Sequence, residues 1–141
     1  MITKFWENWI VLQPERILLR NHIQSLIPAG IVKILDVGAG DGRRYRDIFE
    51  NFDYTSLDID ASLRPDIIAS ADNIPFPDKE FDFAFSSQML EHVTDPTAVL
   101  TEIHRILQDD GYLLITVPQT NELHSEPFDY WRFTNFGMEL L

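Results

Sequence analysis

The chain has 141 residues, of which 45% are hydrophobic and 12% aromatic, a content that suits one folded domain and excludes a disordered chain. Its 11 Lys and Arg residues stand against 23 Asp and Glu residues, and the formal net charge of −12 at pH 7 argues against nucleic acid as a partner. The absence of cysteine excludes disulfides and thiolate chemistry.

The first segment, residues 1–31, is predicted to be helical and carries no chemistry. Pro14 suits the first position of a second helix, where its missing N–H has no partner to lose. Apolar residues recur after it at helical spacing, and Pro28 and Gly30 end the pattern. We therefore predict N-terminal helices ahead of the main domain.

Strands and helices alternate after this segment, which indicates a parallel sheet covered by helices. The first strand is predicted over Val32–Val37, and a helix follows from about Gly42 to Asn51. The second strand is predicted over Tyr54–Asp58 and the third over Asp66–Ser70. Because the link between them is too short for an ordinary crossover, we expect a vestigial helix there or a misplaced third strand.

The fourth strand is predicted over Phe81–Ser86, a nearly continuous apolar run of the kind found where both faces of a sheet are covered. The next helix begins with an Asp-Pro pair at residues 95–96, a good N-cap followed by a favoured first residue. The fifth strand is predicted over Tyr112–Val117. The remainder, Gln119–Leu141, is predicted as a polar and aromatic loop with a helix starting at Thr134.

A glycine-rich turn follows the first strand, in the sequence Asp36-Val37-Gly38-Ala39-Gly40-Asp41-Gly42. Three glycines, each two residues from the next, leave the turn almost without side chains, as is needed for close approach to a ligand or for positive φ. The dinucleotide-binding fingerprint fits poorly, because its last two glycines are three residues apart. The turn resembles motif one of the class I S-adenosylmethionine-dependent methyltransferases; a glycine turn without a ligand is the alternative.

Further segments resemble the same family in the expected order. They are Ile74–Asp82, Met89-Leu90-Glu91-His92-Val93 and the stretch from Ile103 to Gly111. The similarity covers residues 32–118 and is closest to the group labelled type 11, whose members mostly act on small molecules. It implies an α/β fold, a three-layer αβα Rossmann-like sandwich with a mainly parallel sheet of strand order 3-2-1-4-5.

A full domain of this class has two more C-terminal strands, and strands 6 and 7 are missing from this sequence. The resemblance therefore implies a single methyltransferase-like domain over residues 1–141, with a cofactor-binding core at 32–118 and an acceptor-side loop and helix start at 119–141. The fifth strand would then be an uncovered apolar edge, which favours pairing or aggregation. We expect residues 119–141 or a second subunit to cover it.

The resemblance also implies the cofactor, S-adenosylmethionine, with S-adenosylhomocysteine as its product. Asp36 would place the ammonium group and Asp58 would accept both ribose hydroxyls, with Asp60 as the fallback. Asp72 would accept from the adenine amine beside the Ile74 side chain, although Asp72 as a turn cap is the alternative. The implied cofactor-binding set is Asp36, Gly38, Ala39, Gly40, Gly42, Asp58, Ile59, Asp72, Asn73, Ile74, Ser86, Ser87 and Gln88.

Residues after the fourth strand, Ser86-Ser87-Gln88-Met89, would line the floor beneath the sulfonium. They lack the Asn/Asp-Pro-Pro-aromatic tetrad of enzymes that methylate DNA bases. The candidates for a general base, needed only if the acceptor is a protonated group such as a hydroxyl, are His92, His124 and Asp129. A structural role is the alternative for each. The histidines have no metal-ligand spacing, so we predict no metal.

The sequence thus predicts methyl transfer from S-adenosylmethionine to a small-molecule or sugar-type acceptor by in-line displacement. A non-catalytic module that binds the cofactor or a partner protein is the alternative, because the C-terminal part of the domain is absent. A third hypothesis is an enzyme that binds a nucleotide sugar or a nicotinamide cofactor. No apolar run approaches the length of a membrane span and no secretory leader is present, so we expect a cytoplasmic protein, possibly a homo-oligomer.

Overall fold

The computed structural model describes residues 10–12 and 22–141, so the helices predicted at 1–9 and 13–21 lie outside the described residues. The strands are β1 (Ile10–Leu12), β2 (Lys33–Val37), β3 (Asp53–Asp58), β4 (Ile67–Ile68), β5 (Phe81–Ser87) and β6 (Leu107–Thr116). The helices are α1, described over residues 22–26, α2 (Arg43–Arg46), α3 (Pro96–Ile106) and α4 (Asn135–Met138), with 3₁₀ turns at Ala61–Leu63 and Leu90–His92.

These strands form one sheet in the order β1-β6-β5-β2-β3-β4, and every pair is parallel. The five strands predicted from the sequence are β2 to β6, so the predicted fold and its order 3-2-1-4-5 are confirmed. The vestigial helix expected between the second and third strands is the 3₁₀ turn Ala61–Leu63. The helix predicted over residues 42–51 is shorter, because α2 ends at Arg46 and turns follow it.

The outer edge of β6 is paired within the chain, which corrects the prediction that this edge needs residues 119–141 or a second subunit. Ile10–Leu12, predicted to be helical, forms β1 and pairs with residues 114–116 of β6. The Ile-Val-Leu triplet suits a strand beside an apolar neighbour, and pairing satisfies backbone groups that the edge would otherwise leave open. Over these residues the edge gives no argument for an oligomer.

Two apolar clusters lie on opposite faces of the sheet, which gives three layers. Alternation along the strands divides the residues, so that Ile34 packs on one face and Leu35 on the other. The first face carries α1 and the segment around α2, with Ile23, Tyr45, Ile48 and Phe49 buried. The second carries α3 and part of the 119–141 segment, with Val99, Leu100, Ile103, Ile106, Phe133 and Met138 buried.

Two helix starts follow directly from their sequence. Asp95 Oδ1 accepts a hydrogen bond from the Ala98 amide at 3.0 Å, and Pro96 is the first residue of α3, as predicted. Thr134 caps α4 in the same way through the Gly137 amide at 2.9 Å. Within the described residues, no helix has the length and apolar character needed to cross a bilayer.

Candidate functional site

A cavity of about 740 Å³ opens where β2, β3 and β5 end. The loops that follow parallel strands meet at this edge of the sheet, which is the usual ligand position in open α/β folds. Eleven of the residues that the sequence predicted for the site line it, on both the cofactor and the acceptor sides. They are Asp36, Gly38, Ala39, Gly40, Asp58, Ile59, Asp72, Ser87, Gln88, Met89 and His92.

The three glycines of the turn have left-handed φ angles and different surroundings. A Cβ on Gly40 would meet no atom of the described residues within 4 Å, so this glycine presents bare backbone to the cavity. A Cβ on Gly38 would lie 2.2 Å from Cγ of Met89, and one on Gly42 would lie 3.2 Å from Oγ of Ser56. Gly38 is therefore required for packing, whereas a side chain at Gly42 would make a tight contact that a small shift of Ser56 relieves. Gly42, predicted to bind the cofactor, does not line the cavity.

Asp58 ends β3 directly opposite the glycine turn. Its Oδ2 accepts from the Gly40 amide at 2.8 Å, and its Oδ1 accepts from the Asp60 amide at 2.9 Å. A carboxylate has about four acceptor positions, so capacity remains for further hydrogen bonds on the cavity side. The neighbouring Ile59 side chain is 71% exposed and lines the same cavity, next to the carboxylate.

Asp36 lies at the cavity wall but is only 2% exposed. Burial raises the pKa of its carboxyl to about 7, opposed by a hydrogen bond from Tyr54 and assisted by the nearby charge of Asp58. The Tyr54 hydroxyl donates to Asp36 Oδ2 at 2.7 Å. Burial and this carboxylate also raise the pKa of the Tyr54 phenol, which keeps Tyr54 a donor.

When the pH is raised from about 5.5 to about 8, the stability of Asp36→Asn relative to the native protein is expected to increase by roughly 2 kcal/mol. The native carboxyl keeps its proton up to about pH 7 when folded, whereas the unfolded chain loses it near the ordinary value of 3.8. Between these values the folded state binds more protons, so native stability falls as pH rises, and asparagine has no proton to lose. Urea denaturation at both pH values measures this change; a constant difference contradicts the raised pKa.

Three predicted cofactor residues do not line the cavity, in addition to Gly42. Ile74 is 2% exposed and packs in the core beneath α3, so it is not free to cover an adenine ring. Ser86 is completely buried, because alternation along β5 turns it away from the surface that Ser87 reaches. The Asn73 amide closes a turn on the Ser70 carbonyl oxygen at 3.1 Å.

The segment that follows Asp72 is held by a charged clamp on α3 that was not predicted from the sequence, although Arg105 lies in a stretch that resembles the family. Arg105 Nη2 donates to the Ile74 carbonyl at 2.9 Å, and Nη1 donates to the Phe76 carbonyl at 2.8 Å. Glu102 pairs with Arg105 and accepts from the Ile74 amide at 2.9 Å. This clamp fixes the backbone on the Asp72 side of the cavity.

Arg105→Lys is expected to destabilise the protein by about 2 kcal/mol, because an ammonium cannot reproduce the planar fork that bonds both carbonyls. Arg46→Lys is the matched control, since Arg46 is half exposed and pairs with an exposed Asp66 at the surface. The control is expected to change stability by less than about 0.5 kcal/mol. Urea denaturation measures both; equal losses contradict the clamp.

The acceptor side of the cavity is built by residues from the turn after β5 and from the 119–141 segment. His92, Ser125 and Tyr130 line the cavity, and the Tyr130 amide donates to the Glu91 carbonyl at 2.8 Å. Tyr130 is 44% exposed. The sequence did not predict Tyr130 as a cavity residue, although it showed that the 119–141 segment is rich in aromatic residues.

Asp129 and His124, predicted as candidate bases, do not line the cavity. Arg132 donates to both carboxylate oxygens of Asp129 at 2.7 Å, and the His124 amide donates to Oδ2 at 2.8 Å. The hydrogen bonds from Arg132 are the main reason why the pKa of Asp129 lies well below its usual range, and the bond from the His124 amide lowers it further. A carboxylate so engaged is a poor proton acceptor, and Asp129 instead organises its own loop.

Glu91 joins the two histidines in a cluster that the sequence did not predict. The Glu91 side chain is completely buried, and its Oε1 lies 3.8 Å from His92 Nε2 and 3.9 Å from His124 Nε2. The two imidazole rings meet edge to face with centroids 4.9 Å apart. Spacing along the chain gave no sign of this, because the fold brings His124 back from a distant loop.

Comparisons with known proteins agree with the fold and the glycine turn. The profile of the family described as Methyltransferase domain matches residues 35–115. Uncharacterized protein MJ1252 of Methanocaldococcus jannaschii is 32% identical over 111 residues, which are 72% of this chain and 43% of that protein. The ubiquinone/menaquinone biosynthesis C-methyltransferase UbiE of Hahella chejuensis is 27% identical over 121 residues, 84% of this chain and 40% of that enzyme. The chain spans about half the length of the curated relatives it matches.

Among solved structures, similarity is found to a candidate methyltransferase in complex with the Trm112 methyltransferase activator of Haloferax volcanii. The TM-score is 0.70 and the sequence identity 21%, over 85% of this chain and 63% of that chain. At this identity the likeness concerns the fold. Because the family profile matches more than half of this sequence, the chain belongs to the type 11 family of class I S-adenosylmethionine-dependent methyltransferases.

Proposed function

We propose that this chain binds S-adenosylmethionine in the cavity and transfers its methyl group to a small-molecule or sugar-type acceptor. The observation that carries the proposal is the open backbone at Gly40 beside the Asp58 carboxylate at the end of β3. Bare backbone admits a ligand to close contact, and a carboxylate with acceptor capacity left suits a ribose diol. The family match and the UbiE relative support a methyltransferase over a non-catalytic module.

On the donor side, we assign the ribose to Asp58 and the adenine region to Ile59 and Asp72. Asp58 is held by two backbone amides, so its oxygens are fixed before a ligand arrives. Ile59 supplies an exposed apolar surface, which replaces the role that the sequence assigned to Ile74. Asp36, buried and bonded to Tyr54, lies where the charged methionine end would enter.

On the acceptor side, we assign the binding surface to His92, Ser125 and Tyr130. These residues line the cavity opposite the glycine turn and offer one imidazole, one hydroxyl and one phenol. Such a surface suits a neutral, hydroxylated molecule. The net charge of −12 disfavours a polyanion, which supports a small acceptor over nucleic acid.

The bound sulfonium supplies an activated methyl group with a good leaving group. The protein's part is then to hold the acceptor atom in line with that carbon, an orientation effect worth several kcal/mol in well-positioned systems. A hydroxyl acceptor must also lose its proton. His92 belongs to the acceptor surface, and Glu91 and His124 lie next to it. We propose that this cluster accepts the proton.

The test is a turnover assay with S-adenosylmethionine and a panel of sugars and small hydroxylated molecules, with S-adenosylhomocysteine quantified by mass spectrometry. We expect acceptor-dependent product with at least one member of the panel. Calorimetry with S-adenosylhomocysteine and with NAD accompanies it. Tight binding of S-adenosylhomocysteine without turnover on any acceptor would favour the non-catalytic module, and binding of NAD instead would favour a nicotinamide enzyme.

A further inference from the structure

Glu91 is a buried carboxyl group without a hydrogen-bond partner among residues 10–12 and 22–141. Its side chain is 0% exposed, and neither Oε1 nor Oε2 is bonded to any of these described residues. A carboxylate removed from water is strongly unfavourable unless a cation or donors compensate it. The groups that face Oε1 are the Nε2 atoms of His92 and His124, at 3.8 Å and 3.9 Å, which is too far for direct hydrogen bonds.

The backbone fixes the tautomer of both imidazoles. His92 Nδ1 lies 2.6 Å from the Phe128 carbonyl oxygen, and His124 Nδ1 lies 3.1 Å from the Glu122 carbonyl oxygen. A carbonyl oxygen only accepts, so each Nδ1 is the donor, and in the neutral ring each Nε2 carries a lone pair. Those lone pairs lie next to the Glu91 carboxylate. Metal-binding histidines usually donate the N–H of their other ring nitrogen to such an acceptor, which fixes the tautomer and the ring orientation.

The three ligand atoms lie close enough to reach one small ion after side-chain adjustment. One atom from each of Glu91, His92 and His124 lies within 4.8 Å of the other two. With Zn–N and Zn–O bonds of about 2.0–2.2 Å, neighbouring tetrahedral ligands lie about 3.4 Å apart. The distances of 3.8 Å and 3.9 Å from Glu91 Oε1 to the two imidazole nitrogens exceed that value by about half an ångström, so the three side chains must draw together when an ion binds.

We propose that Glu91, His92 and His124 form a binding site for one divalent transition-metal ion. Two imidazole nitrogens and one carboxylate match Zn²⁺, Co²⁺ or Mn²⁺ better than Ca²⁺ or Mg²⁺, which prefer oxygen ligands only. Three protein ligands leave at least one coordination position for a water or another oxygen. Because His92 also lines the cavity, we expect that position to face the acceptor side.

A role for this site in catalysis rests on the proposed function. A hydroxyl oxygen of the acceptor in the open position would lose its proton more readily, because a divalent cation lowers the pKa of a bound hydroxyl. With the ion bound, Glu91, His92 and His124 would act as ligands and could not accept that proton, which would pass to water in the open cavity. Asp129 and Arg132 lie behind His124 and keep its loop in place. A bound cation would thus compensate the buried Glu91 carboxyl group, whose oxygens are not hydrogen-bonded to any described residue.

The test is titration of the chelator-treated chain, residues 1–141, with Co²⁺, followed by visible absorption and by calorimetry. We expect one Co²⁺ per chain and the d–d bands of a site with nitrogen and oxygen ligands. Glu91→Gln and His124→Ala are expected to weaken binding at least tenfold, since loss of a ligand exceeds the roughly 10–100-fold effect of losing an outer-shell partner. His104→Ala, at an exposed position of α3, is the control and should bind as the native chain does.

His124→Ala complements Glu91→Gln, because the His124 side chain is 36% exposed and its loss leaves the buried core intact. Circular dichroism establishes that each variant is folded. The proposal is overturned if the native chain shows no Co²⁺ bands, if folded Glu91→Gln binds Co²⁺ as tightly as the native chain, or if His104→Ala loses binding equally. Calorimetry with S-adenosylhomocysteine on the same samples separates failure of the metal site from failure of the proposed function.

Discussion

Asp58→Ala is expected to weaken S-adenosylhomocysteine binding by at least about 100-fold. The variant loses two charge-assisted hydrogen bonds to the ribose, each worth about 1.5–3 kcal/mol. It also releases the Gly40 amide, which Asp58 Oδ2 holds at 2.8 Å, so the turn is less well fixed before binding. Isothermal titration calorimetry of both proteins measures the ratio of the dissociation constants.

Two further variants make this result specific. Asp58→Asn keeps an acceptor for the Gly40 amide but loses the charge and one acceptor oxygen, so an intermediate loss of about tenfold is expected. Asp53→Ala removes an exposed carboxylate at the other end of the same strand and should leave the affinity unchanged. An Asp58→Ala protein that is folded and binds with native affinity contradicts the ribose assignment.

Gly38→Ala is expected to destabilise the folded protein by about 3 kcal/mol or more. The new Cβ would lie 2.2 Å from Cγ and 2.7 Å from Cβ of Met89, at a backbone φ of +74° that side chains rarely adopt. The Met89 Cβ is fixed to its backbone, so relief requires the turns after β2 and β5 to separate. Urea denaturation measures the loss.

Gly40→Ala is the matched control, in the same turn and at a similar φ of +61°, with no atom within 4 Å of the new Cβ in the part of the chain that the structure describes. We expect about 1–2 kcal/mol of backbone strain and no packing clash. Its methyl group would project into the cavity, so ligand affinity falls while the fold persists. Met89→Ala combined with Gly38→Ala should recover part of the lost stability; equal stabilities of Gly38→Ala and Gly40→Ala would refute the packing argument.

Features that depend on a few neighbouring residues could be predicted from the sequence. The N-caps at Asp95 and Thr134 and the glycine turn each depend on local backbone chemistry. Asp58 was predictable as an acid at the end of a strand beside that turn. The order of the central strands followed from the family resemblance rather than from periodicity.

Features that depend on distant packing could not be predicted. The strand at Ile10–Leu12 requires the free edge of β6, and three apolar residues, although they suit a strand, are too few to distinguish a strand from a helical turn. The Ile74 side chain was predicted to cover the adenine because the neighbouring Asp72 matched the family pattern. Arg105 and Glu102 instead bind the Ile74 backbone, and its side chain packs in the core. The approach of Glu91 and His124 depends on how the last segment folds back across the cavity.

The most direct test of the account is an amide nitrogen–proton correlation spectrum of the chain, recorded during titration with S-adenosylhomocysteine. We predict saturable shifts centred on Gly40, Asp58, Ile59 and Asp72, with Asp53 and the far ends of the strands unaffected. Shifts centred elsewhere, or an unchanged spectrum at saturating ligand, would contradict the claim that the cavity above the glycine turn holds the methyl donor.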